Sequence, residues 1–161
     1  MLGPWQHAAW LRVGGLIAIG FPGDFHLFTL SWNGRGIFEL HTFERIARAY
    51  EDPVGADWLA ADQLSAAGIG EFSSQLIPIV GLWGGQCIVR TPDGWRLEAR
   101  VEKGTVLSGL LIDPTASNVV AVPLNSITEY QAVSFDPSGR FLLLASTSEV
   151  QVMTRGGIGE T

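Results

Sequence analysis

Cys87 is the chain's single thiol, and His7, His26 and His41 are its only imidazoles, so nucleophilic or metal-assisted chemistry would have to draw on these four side chains and on carboxylates. Gly85-Gln86-Cys87 places a thiol after a glutamine, but an active thiolate needs a helix N-terminus or an imidazolium beside it. Cys87 instead opens the strand-like run Cys87-Ile88-Val89, and a buried structural thiol is expected. His26 and His41 fall on neighbouring expected strands, with Asp24 and Glu39 close by in sequence. Two imidazoles and a carboxylate are a metal donor set. Glu39 and His41 share a strand face, however, whereas His26 falls among Phe28, Leu30 and Trp32. Partly buried, hydrogen-bonded histidines and no metal are therefore expected. No G-x-S-x-G, P-loop or G-x-G-x-x-G occurs. Asp93, Asp113 and Asp136 sit in turns, where carboxylates bond the local backbone. No catalytic residue and no cofactor is expected, and a cysteine- or metal-dependent hydrolase is the weakest alternative.

A charge asymmetry remains. Between Glu44 and Asp62 stand five acids (Glu44, Glu51, Asp52, Asp57, Asp62) and two bases (Arg45, Arg48), half of the chain's net charge of −6. Tyr50, Trp58 and Leu59 are interleaved with them. Aromatic anchors ringed by acids suit a surface that receives a basic protein, because the rings supply desolvated contact and the acids orientation. Glu51, Asp52, Asp57, Trp58 and Asp62 are the candidate partner-binding residues. The competing reading is a solvated face whose Trp58 packs inward.

The elements that must position these residues read as short strands. Leu16–Phe21, Phe25–Trp32 and Ile37–Phe43 are joined by Pro22-Gly23-Asp24 and Asn33-Gly34-Arg35-Gly36, the second carrying an Asn-Gly pair that tolerates positive φ. Arg45–Tyr50 adds a fourth strand. Phe25–Trp32 is apolar on both faces, so burial from both sides is expected. Residues 53–70 hold five alanines, with Asp57 as a candidate cap and Gly68 and Gly70 as stops; one short α-helix is expected there. Strand signals return at Leu76–Trp83, Cys87–Arg90, Trp95–Val101, Val106–Ile112, Val119–Val122, Gln131–Phe135, Phe141–Thr147 and Glu149–Thr154. The last alternates polar and apolar residues and is expected half-exposed near an edge. Turns are expected at Asp113–Asn118 and Asp136–Gly139, and bends at the glycine pairs, including Gly156-Gly157.

Ile17–Phe21 can be laid on Gln131–Phe135, 114 residues later, each followed by a Pro/Gly/Asp turn and an apolar strand. Tyr130–Ser146, with its Asp136-Pro137-Ser138-Gly139 turn, resembles the inner hairpin of a WD-repeat β-propeller blade, and Phe21–Leu40 a looser copy. The resemblance covers about a third of the chain and implies blade-like hairpins. Because 161 residues are too few for a closed ring of four-stranded blades, the expected fold is a single mainly β domain over 1–161. It is an antiparallel meander of blade-like hairpins, an incomplete propeller or sandwich, with a helix-containing insertion near 53–70.

Composition bounds the function. Apolar residues make up 47% and charged residues 16%, which excludes intrinsic disorder. Ten basic against sixteen acidic residues leave no cationic excess for phosphate backbones, so nucleic acid is not an expected partner. No apolar run is long enough for a membrane-spanning helix, and a lone cysteine fits a reducing compartment; the cytoplasm is expected. In size, acidity and lack of disulfides the chain resembles small bacterial immunity proteins in their general properties. That resemblance implies a non-enzymatic, protein-binding module that neutralises a basic toxin or effector domain by surface complementarity. The alternative is a self-assembling propeller-like module in which copies pair through open edge strands.

Overall fold

The computed structural model describes residues 4–115, 119–125 and 127–155; the glycine pair 156–157 and part of the expected turn at 113–118 lie outside them. Its strands are β1 (Trp5–Arg12), β2 (Leu16–Gly20), β3 (His26–Ser31), β4 (Gly34–Glu39), β5 (Glu44–Tyr50), β6 (Ser65–Ala67), β7 (Leu76–Gly81), β8 (Arg96–Glu102), β9 (Thr105–Ile112), β10 (Val119–Ala121), β11 (Tyr130–Phe135), β12 (Phe141–Ser146) and β13 (Glu149–Arg155). The fold is mainly β and antiparallel throughout. One sheet runs β5-β4-β3-β2-β7-β6; the other runs β1-β13-β12-β11-β9-β10, with β8 also paired to β9.

Each sheet contains a meander of four neighbouring strands, β2 to β5 in one and β11 to β13 completed by β1 in the other. The two segments related by the 114-residue offset are the first strands of these meanders, β2 and β11, and they meet where the sheets pack. With its amide nitrogen turned toward β2, Gln131 donates to the carbonyls of Leu16 (3.0 Å) and Ile17 (2.8 Å). Backbone bonds from Val13 to Ser148 and from Leu16 to Thr147, both 2.9 Å, join the sheets further along.

The apolar pattern explains why both meanders are buried on two faces. Leu16, Ile19, Leu27 and Phe38 of one sheet pack against Ala132, Phe141, Leu143 and Val152 of the other. On the far side of the first sheet Ile17, Phe28, Leu30 and Ile37 are covered by Trp58, Leu59, Ala66 and Ile69. On the far side of the second, Val133, Phe135 and Leu142 meet Trp5, Trp95 and Leu97. Strand β3 therefore buries Leu27 on one face and Phe28 on the other, as its unbroken apolar run requires.

Three expectations are corrected. The α-helix expected within 53–70 is absent; the only helical turn there or nearby is a 3-10 turn at Gly70–Phe72. The segment folds back on itself instead, with Ala67 N–H donating to Trp58 C=O (2.8 Å) and Ala60 N–H to Ser65 C=O (3.0 Å). Asp62 accepts from the Leu64 amide (3.0 Å), and Gln63 takes φ 62°. A helix of about ten residues is marginal alone, and aspartates that bond the backbone locally outcompete alanine propensity. The second correction concerns β13, which is not half-exposed near an edge: β1 pairs along its outer side, and Val150, Gln151, Val152 and Met153 are all buried. Cys87–Arg90, expected as a strand, is not one: it is held by a bridge from Arg90 to Arg96, by the Leu97 amide donating to Val89 C=O (2.8 Å), and by Ile88, whose C=O accepts the Phe135 amide (3.0 Å) and whose amide donates to Ser134 Oγ (2.8 Å).

The end of β13 is latched. Arg155, buried, donates to both carboxylate oxygens of Asp93 and to Gly139 C=O, and Thr91 Oγ donates to Asp93 (2.6 Å). The Arg155 hydrogen bonds hold the Asp93 carboxyl below its ordinary range, against a smaller upward push from desolvation. A depressed folded-state pKa contributes stability above the unfolded value, about 3.9 for Asp, and that contribution is lost as pH falls through the folded value. Urea unfolding of the wild type and Asp93→Asn should therefore differ most at neutral pH, and the gap should narrow progressively as the pH is lowered below the unfolded value of about 3.9. A gap independent of pH would contradict the ion pair as its source.

Candidate binding site

The connection between β3 and β4 is two residues, Trp32 and Asn33, and Gly34 begins β4 at φ 139°. A Cβ on Gly34 would fall 1.9 Å from Ala49 C=O, so only glycine lets β5 close against this turn. Gly34 thus faces Tyr50 in register, and Asn33 C=O accepts the Glu51 amide (3.0 Å). The result is a cleft lined by Trp32, Asn33, Arg48, Tyr50, Glu51 and Asp52. Trp32 is 46% exposed and Tyr50 73%. Trp32 is steadied by an edge contact with Trp83 (6.0 Å between rings), and the Arg48 guanidinium lies 4.2 Å from the centre of the Tyr50 ring.

The five candidate residues from the sequence divide. Glu51 is largely committed inward: Trp58 Nε1 donates to one of its oxygens (2.6 Å) and Arg35 Nη2 to the other (3.3 Å). Arg35 is 8% exposed, donates to Ala67 C=O (2.9 Å) and stacks 4.1 Å from the Trp58 ring. Burial lowers the pKa of this guanidinium while Glu51 raises it; Arg35, Glu51 and Trp58 form a clamp that holds the 51–68 segment over the sheet. Trp58 packs inward against the outer apolar cluster. Asp52 lines the cleft, exposed, and accepts the Val54 amide (2.9 Å). Asp57 and Asp62 are exposed on the loop beyond it. Trp32, Asn33 and Arg48 are not among the candidates: Trp32 reads as the end of a strand and Asn33 as a turn residue.

The chemistry-bearing residues are dispersed. His26 rests on Phe72 (4.9 Å), His41 on Phe25 (4.3 Å), and His7 hydrogen-bonds Gln151 (3.1 Å). Cys87 is partly buried against the inter-sheet core; desolvation pushes its thiol up despite a hydrogen bond at the Val133 backbone, which disfavours the thiolate. Among the described residues no three His, Cys, Asp or Glu side chains converge to hold a metal ion, and no helix is long and apolar enough to cross a membrane. No protein-family model matches the chain, and a search of curated proteins finds no relative.

Proposed function

We propose that this chain is a non-enzymatic protein-binding module whose partner seats on the cleft between Trp32 and Tyr50. The observation that supports this most directly is the exposure of these two rings beside Arg48, Glu51 and Asp52, at the end of β5, a strand paired on one side only. Exposed aromatics and arginine next to orienting charges are the residue types that dominate binding energy at interfaces. Asp52, Asp57 and Asp62 favour a partner that is basic where it meets the loop, and a net charge of −6 speeds its approach at low salt. Neutralisation of a basic toxin or effector domain is the form of binding these properties suit.

Tyr50→Ala with Asp52→Lys alters only exposed side chains, so the fold should survive, which a thermal melt checks. Immobilised wild type should retain a basic protein from the native host about tenfold more than the double variant, the loss of roughly one interface anchor. Identical retained sets, or nothing retained by the wild type, would overturn the reading.

A further inference from the structure

We propose that Arg45 and Arg48 form a notch for a carboxylate, carried by an acidic side chain on an extended segment of the partner that pairs with the open edge of β5. The inference rests on the binding reading above and names the chemistry of one contact. Two arginines three apart in a regular strand point to opposite faces. Here Gly36 opposes Arg48 and Phe38 opposes Arg45, because a bulge leaves Ile46 without an opposite residue. The extra residue brings both guanidiniums to one face. They flank a recess lined by Thr29, Ser31 and Gly36.

Three features suit the recess to an oxyanion. Neither guanidinium has a carboxylate within salt-bridge distance among the described residues, whereas Arg35, Arg96, Arg100 and Arg155 each have one. Among the described residues Arg45 reaches only the Arg12 carbonyl (3.3 Å) and stands over Phe38; desolvation and the like charge of Arg48 both lower its pKa, and an added anion would offset the like charge. The floor lacks a side chain at Gly36, where a Cβ would sit 3.0 Å from Thr29 Oγ1 and 3.7 Å from Arg45 Nε. The Thr29 and Ser31 hydroxyls donate to Gly36 and Gly34 carbonyls at 3.4 Å, long bonds that cost little to redirect. The recess admits an oxygen-sized group, room for one oxygen of a carboxylate, and guanidinium groups pair strongly with carboxylates. Beside it, the outer N–H and C=O groups of β5 have no strand partner among the described residues, the template for strand addition. Arg48 also lines the Trp32–Tyr50 cleft, so notch and cleft form one continuous surface. A partner that is basic overall but acidic at this position meets both signs of charge.

The probe is a blocked heptapeptide, Thr-Lys-Val-Asp-Val-Lys-Thr, compared with its asparagine counterpart, titrated into the full chain and followed by NMR at the Arg45 and Arg48 Nε–H groups and the 44–50 amides. The aspartate peptide should bind about tenfold more tightly, the order of one charge-assisted contact, with shifts confined to β5 and the notch. Arg45→Gln with Arg48→Gln, and separately Gly36→Ala, should abolish that preference while the melt stays cooperative. Equal or absent binding of the two peptides, a preference that survives the arginine changes, or a dimer formed through β5 would overturn the notch. Loss of capture by the Tyr50/Asp52 variant alongside equal peptide binding would overturn the notch alone and leave the module reading standing.

Discussion

Asp136→Ala should cost about 3 kcal/mol of folding stability, because it removes a carboxylate that serves three donors at a buried turn and hydrogen bonds to charged groups contribute about 1.5–3 kcal/mol each. Asp136 has no exposed surface. One oxygen accepts the Phe141 amide (3.0 Å); the other accepts the Ser138 amide (3.2 Å) and hydroxyl (2.7 Å). The turn is closed further by the Asp136 amide to Phe141 C=O and the Gly139 amide to Asp136 C=O, both 3.0 Å. Without the carboxylate the Phe141 amide is left buried and unpaired, which is the costly half of the change. Ser138 is partly exposed, so water can replace its share. Asp136→Asn keeps an acceptor and nearly the same volume and should cost only about 1–2 kcal/mol. Urea unfolding at pH 7 measures both. Equal losses for the two variants would mean that the turn depends on the charge and not on the hydrogen bonds.

What was legible in the sequence was local. Thr91–Gly94 and Asp136–Gly139 act through their own backbones and close turns, with Gly94 N–H meeting Thr91 C=O at 3.0 Å; the turn expected at Asn33–Gly36 is shifted toward the N-terminus, so that Trp32 and Asn33 form the connection and Gly34, at positive φ, already opens β4. The apolar run of β3 reports two-sided burial for the same reason, since side-chain alternation is a property of each strand alone. What was not legible depends on residues far away in the chain. In β13, Gln151 and Arg155 look like solvent-facing positions, yet Gln151 is held by His7 from β1 and Arg155 by Asp93. Polar residues with partners more than 60 residues away are buried without any local sign of it.

The same division runs through the candidate residues. Acidity and aromatics near residue 50 mark a stretch in which Tyr50 and Asp52 are exposed. Trp58 packs inward, as the competing reading had it, while the engagement of Glu51 and Trp58 with Arg35 on β4 has no local sign, because it forms only after the sheet and loop have come together. Arg45 and Arg48 entered the sequence reading only as partial offsets to the acids. Their common face depends on a bulge defined by the opposing strand, and a spacing of three in an extended run gives no warning of it.

Trp5→Ala tests the longest-range feature of the fold, the pairing of β1 with β13, and should cost about 4 kcal/mol, within the usual range for deleting a large buried aromatic side chain. Trp5 is 1% exposed. Its ring meets Trp95 edge-on (5.8 Å) and Phe135 at a tilt (5.5 Å), and the Arg155 guanidinium stands 5.1 Å from its centre. The indole therefore joins β1 and β11 to the 91–95 turn, and it backs the residue that latches Asp93. Trp5 Nε1 is buried without a hydrogen-bond partner among the described residues, so the ring contributes through packing and its N–H is a liability. Trp5→Phe, which discards that N–H along with some volume, should then cost only about 1–2 kcal/mol. Trp10 lies on the same strand but is 50% exposed, and Trp10→Ala should stay below about 1 kcal/mol. Because Trp5 and Asp93 both hold Arg155, the Trp5→Ala and Asp93→Asn effects should fail to add by about 0.5–1 kcal/mol, as neighbours sharing a partner do. Additive losses, or a Trp10→Ala loss equal to that of Trp5→Ala, would show that β1 contributes as a generic edge strand and that the Trp5–Arg155–Asp93 chain is not a coupled latch.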